Sequence, residues 1–115
     1  MIEDGIRLEL EGVAVGYLRM DVSGDARQRD QAAIRHLAYR WGYFVAWILL
    51  VDETASDPMT ALVTAVGRYR ADAVFAPSAK HFDGCKIPDS IVTACDVVTV
   101  DDRRTTSRRL PSPFA

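Results

Sequence analysis

The sequence predicts an α/β domain: a three-layer, doubly wound, mostly parallel sheet of about four to five strands. Three observations predict it. Short apolar runs alternate with segments of helical period along the chain. One run, Tyr43 to Val51, is apolar throughout and rich in aromatic and branched residues, as a strand buried on both faces is. Helix signals separate the runs, with Asp57-Pro58 as a start and Gly42 as a stop.

Taken in order, Ile6, Leu8 and Leu10 alternate with charged residues, which assigns residues 1–12 to an N-terminal arm or edge strand. Val13 to Leu18 reads as the first core strand, broken by Ser23-Gly24-Asp25. Asp25 with Gln28 resembles a capping box, and Ile34, Leu37, Ala38 and Trp41 share one helical face before Gly42. After the strand 43–51, Asp57-Pro58 opens a helix with Met59, Leu62, Val63 and Val66 as its buried stripe, fraying near Tyr69-Arg70. Ala73 to Ala76 is a third strand closed by Pro77. Pro88-Asp89-Ser90 opens a short helix to about Ala94, and Val97 to Val100 is a fourth strand. The α/β domain thus spans 13–100, and 101–115 is expected to be a flexible basic tail.

With 115 residues, 49% of them hydrophobic, the chain is long enough for one core and too short for a second domain. A net charge of -2 speaks against a strongly cationic nucleic-acid binder. The tail departs from that balance, with Arg103, Arg104, Arg108 and Arg109 against Asp101 and Asp102. Cys85 and Cys95 match no disulfide framework and read as small core residues. No signal-peptide pattern opens the chain, and no apolar run reaches the roughly 20 residues of a membrane helix. A cytoplasmic, soluble protein is expected.

Ligands of doubly wound folds gather at the carboxyl ends of the strands. That edge should collect Arg19, Asp21, Asp52, Glu53, Ser78, Lys80, His81, Asp101 and Asp102. The run Val15-Gly16-Tyr17-Leu18-Arg19-Met20-Asp21 resembles the Tyr-x-Arg-Val-Ser opening of the serine recombinases, the resolvase/invertase family. Arg27-Gln28-Arg29-Asp30-Gln31 and Trp41-Gly42-Tyr43 are similar to the ends of that family's first helix. Val51-Asp52-Glu53-Thr54-Ala55-Ser56 is similar to its Asp-Glu-x-x-Ser loop, and Ala71-Asp72-Ala73-Val74-Phe75 to the entry of its third strand. The resemblance runs from about Val13 to Val100 and implies a resolvase-like fold.

The departures fall on the chemistry. In that family a serine hydroxyl attacks a DNA phosphate while arginines neutralise the developing charge. Here Asp21 stands at the nucleophile's position, Lys80 at a family aspartate, and His81 and Gly84 at two family arginines; only Arg19 stays in register. The resemblance therefore implies a vestigial site of Tyr17, Arg19, Asp21, Lys80 and His81, with no catalytic residue, metal or cofactor expected. Ser23, reached by a two-residue slip, has no evident base in the sequence and suits a capping role better. Arg19 is expected to pair with Asp21, Asp52 or Glu53.

Other chemistries fit poorly. His81, Cys85 and Cys95 match no zinc spacing. A magnesium site of Asp21, Asp52 and Glu53 beside Lys80, as in receiver domains, lacks its acceptor aspartate, because Pro77-Ser78 follows the third strand. No phosphate-binding glycine loop is present. Three functions follow, in order of preference. The first is an inactive resolvase-like domain that binds a protein partner or itself, with Phe82 and Phe114 as apolar contacts. The second is a DNA-associated accessory protein using Arg27, Arg29, Arg35 and Arg40 with the arginine tail. The third is a residual phosphoryl-transfer or hydrolytic enzyme centred on Arg19, Asp21 and His81.

Overall fold

The structure, a computed structural model, describes residues 12–109. Apart from Gly12, the arm read into 1–12 lies outside the described residues, as does the end of the tail, Phe114 included. The elements are β1 (Gly12–Arg19), α1 (Arg27–Arg40), β2 (Tyr43–Val51), α2 (Pro58–Tyr69), β3 (Ala73–Ala76), α3 (Asp89–Val92), β4 (Asp96–Thr99) and β5 (Arg104–Thr106). The five strands lie in the order β2-β1-β3-β4-β5. The first four are parallel, and β5 pairs antiparallel with β4.

Side-chain alternation along each strand divides the core into two layers. Val15, Tyr17, Val74, Ala76 and Val97 join Leu62 and Val66 of α2 and Ile91 and Val92 of α3. Ala14, Ala73, Phe75 and Val98 join Ile34, Leu37 and Ala38 of α1 on the opposite face. The three-layer α/β expectation holds. Gly16 leaves room for Ile48 of β2 and Ile34 of α1, since a Cβ there would lie 2.9 Å from Ile48 Cγ1 and 3.2 Å from Ile34 Cγ2.

Several local expectations change. The Asp25–Gln28 capping box does not form. Met20–Ser23 is a helical turn, and α1 starts after Ala26 without a side-chain cap. Asp57 caps α2 as its position predicts, accepting from the Thr60 N–H at 3.1 Å. Trp41 and Val63, placed on buried stripes from their spacing, are exposed, and Ala65 takes the inward position in α2. Cys85, read as a core residue, is exposed, while Cys95 is buried with its thiol pushed up to about 11 by that burial. Phe82, read as a surface contact, is 2% exposed and stacks on Tyr17 with ring centroids 5.2 Å apart.

The largest change concerns β2. Among the described residues it is an edge strand, and its faces are only partly covered rather than both buried, with Phe44, Trp47 and Leu50 58%, 51% and 40% exposed. Composition alone cannot separate the two situations, because both are apolar runs of similar length. The expected flexible tail also gains structure. Residues 104–106 form β5, and the Arg109 backbone N–H donates to the Val92 carbonyl at 2.9 Å.

Candidate functional site

Between β1 and β3 the chain's winding direction reverses, and the crevice at their carboxyl ends is where such folds place ligands. The sequence puts Arg19 at the end of β1 and carries residues 79–85 across the end of β3 in two tight 3₁₀ turns. The first is capped by Ser78, whose hydroxyl oxygen accepts from the Lys80 N–H. Tyr17, Arg19, Asp21 and His81 thereby converge, joined by Asp83.

Arg19 organises the cluster. Its Nε and Nη2 donate to the two Asp21 oxygens at 3.1 and 2.7 Å, a bidentate pair, and its Nη1 donates to Asp83 at 3.0 Å. One guanidinium thus faces two carboxylates. The hydrogen bonds from Arg19 hold the Asp21 carboxyl below the usual aspartate range. Of the three partners the sequence offers Arg19, the structure selects Asp21; Asp52 instead accepts from the backbone and hydroxyl of Thr54. Asp83 has no family motif to announce it and becomes a partner through the turn at Gly84, where φ is +67°.

His81 is 2% exposed and accepts the Arg19 backbone N–H at Nδ1, 2.9 Å away. An imidazole that accepts at Nδ1 is neutral with its proton on Nε2. Burial drives its pKa down, reinforcing that state. The ring therefore anchors a backbone amide and supplies no positive charge where the resemblance would place an arginine. Tyr17 is buried beneath the cluster, and burial raises its hydroxyl pKa to about 12. Lys80 is exposed and forms no ion pair among the described residues.

Ser23 acquires the carboxylate partner that the sequence left unseen, donating to Asp30 Oδ2 at 2.6 Å. This contact ties the turn after β1 to α1. Among the described residues the arginine of the cluster, Arg19, is already committed to Asp21 and Asp83. Among the described residues no three His, Cys, Asp or Glu side chains form a group able to hold a metal.

The residues proposed to meet nucleic acid are not brought together. Arg27 and Arg29 open α1, which packs on β1 and β2, while Arg103, Arg104, Arg108 and Arg109 lie along the opposite edge with β5. Arg109 pairs with Asp89 at 3.0 Å, and Arg108 donates from Nε to the Thr93 carbonyl. The far edge, by contrast, carries the largest exposed apolar side chains. There a groove of about 240 Å³ is lined by Arg35, Tyr39, Tyr43, Phe44 and Val45. Comparison with known proteins finds no match among family models, curated proteins or solved structures.

Proposed function

We propose that this chain is a resolvase-like domain that has lost phosphoryl transfer and works as a protein-interaction module, chiefly by self-association. The observation that carries the first half is the Arg19 guanidinium held by Asp21 and Asp83. A phosphate entering the crevice would have to displace two carboxylates from the Arg19 guanidinium. The exposed apolar edge at β2 supports the second half, since apolar patches of this kind mark interaction surfaces.

The test has two arms. Incubation with supercoiled DNA followed by denaturation should yield no covalent protein–DNA adduct, for the wild type and for Asp21→Ser alike, because the hydroxyl alone restores neither His81 nor Gly84 to arginine. An adduct in either case would overturn the loss of chemistry. Sedimentation equilibrium over a wide concentration range should show reversible association. A strict monomer throughout would remove the self-association reading.

A further inference from the structure

We propose that two copies of this chain pair antiparallel through β2, about a two-fold axis near Trp47, joining two five-stranded sheets into one continuous sheet. This deepens the self-association reading and rests on it. The starting point is the strand itself. β2 is nine residues long, apolar from Tyr43 to Val51, and among the described residues it pairs on one side only, with β1. Edge strands of monomers are ordinarily short, or blunted by charge or proline, because their free N–H and C=O groups template further pairing. The opposite edge follows that practice, being three residues long and containing Arg104. β2 carries no charged residue and no proline.

A bulge shapes this edge. Val45 and Trp47 pair with the consecutive residues Ala14 and Val15, so Ala46 is the extra residue. Trp47 then stacks on Tyr69 of α2, with centroids 6.3 Å apart and planes 12° apart, while remaining half exposed. Tyr39, Phe44, Trp47 and Leu50 are each at least 40% exposed. At about 200 Å² for a large side chain, they offer roughly 400 Å² of apolar surface per copy. A standard interface covers about 800 Å² per partner. These side chains lie on both faces of the sheet, Trp47 against Tyr69 of α2 and Tyr39 on α1, and would flank the joined strands from either side, with the strand backbone and half-buried neighbours supplying the remainder.

Charge at the two ends selects a second copy as the occupant. The β2 entry is flanked by Arg40 and by Arg35 in the groove, and its exit by the exposed Asp52 and Glu53. Two-fold antiparallel pairing lays the basic end of each strand against the acidic end of the other, twice over. Parallel pairing would set like against like. An isologous contact also closes on itself, giving a dimer and no fibre.

The experiment is sedimentation equilibrium and light scattering on the full chain, with far-UV circular dichroism as the folding check. Phe44→Lys/Leu50→Lys, at two exposed positions, should be folded and monomeric at concentrations where the wild type is dimeric. Glu53→Arg should weaken the dimer about tenfold by facing Arg40 of the second copy, and Arg40→Glu/Glu53→Arg should restore it. Failure of that restoration overturns the antiparallel register. A dimer that survives Phe44→Lys/Leu50→Lys overturns this mode and leaves self-association standing. A wild-type monomer at every concentration overturns both. In such a monomer, protection from hydrogen exchange of the β2 amides that point away from β1 would assign the cover of β2 to the chain itself.

Discussion

His81 shows how a single buried ring ties the crevice to pH. Burial lowers its folded pKa below the ordinary value of 6.5. The unfolded chain therefore binds the proton more readily, and stability rises with pH across this interval. On acidification, the loss begins near 6.5 and continues down to the lower folded value. Asp21, Asp52, Asp57 and Asp102 are likewise lowered, by hydrogen bonds from Arg19, Thr54, Thr60 and Thr99 respectively, so their contribution is lost as pH falls through and below 3.8. We expect the melting temperature to fall between pH 7 and pH 5, and His81→Asn to flatten that slope. An equal slope in the variant would assign the effect elsewhere. Beside it, Phe82→Ala should cost about 3–5 kcal/mol in urea unfolding, as deletion of a buried aromatic does. A loss under 1 kcal/mol would mean that the site collapses onto Tyr17.

At the scale of elements, the first helix, second strand and third strand were legible because periodicity and punctuation agree. The 3.6-residue spacing of Ile34, Leu37 and Ala38 and the stop at Gly42, where φ is +87°, coincide with α1 and its end. Asp57-Pro58 works as a helix start because the carboxylate meets the Thr60 N–H and proline has no N–H to satisfy. The capping box failed because Asp25 lies inside a 3₁₀ turn, Gly24–Ala26, that runs into α1 and leaves Ala26 at the N-cap. Gly16 illustrates a constraint that exists only between elements. Gly16→Ala should destabilise the domain by about 1–3 kcal/mol through overpacking against Ile48 and Ile34. Chemical denaturation reads this directly, and an unchanged midpoint would show that the Ile48 and Ile34 side chains can yield.

At the scale of the molecule, charge placement outweighs charge count. The arginines of α1 lie on the helix that covers β1 and β2, and those near β5 lie along the opposite edge of the sheet. With strands about 4.8 Å apart, β1 and β5 are three strand spacings, roughly 14 Å, apart. Fluorescence anisotropy with duplex DNA should accordingly show no tight binding at moderate salt. Saturable binding with a steep salt dependence would instead reveal a continuous phosphate track. The candidate site itself was half legible. Arg19, Asp21 and His81 were drawn from the strand ends and Tyr17 from the resemblance, but Asp83 and the Ser23–Asp30 contact come from loops whose paths depend on the finished sheet.

By itself the sequence determined the alternation of strands and helices and the α/β class. These follow from local periodicity, turn chemistry and residue identity, which need no knowledge of distant neighbours. Only the tertiary structure decided that β2 lies at an edge, that Phe82 is buried while Phe44 and Trp47 are exposed, and that Arg19 is held by Asp21 and Asp83. The reason is physical. Strand order and loop paths are set by contacts between residues far apart in the chain, and an apolar run has the same composition whether one neighbouring strand or two will cover it.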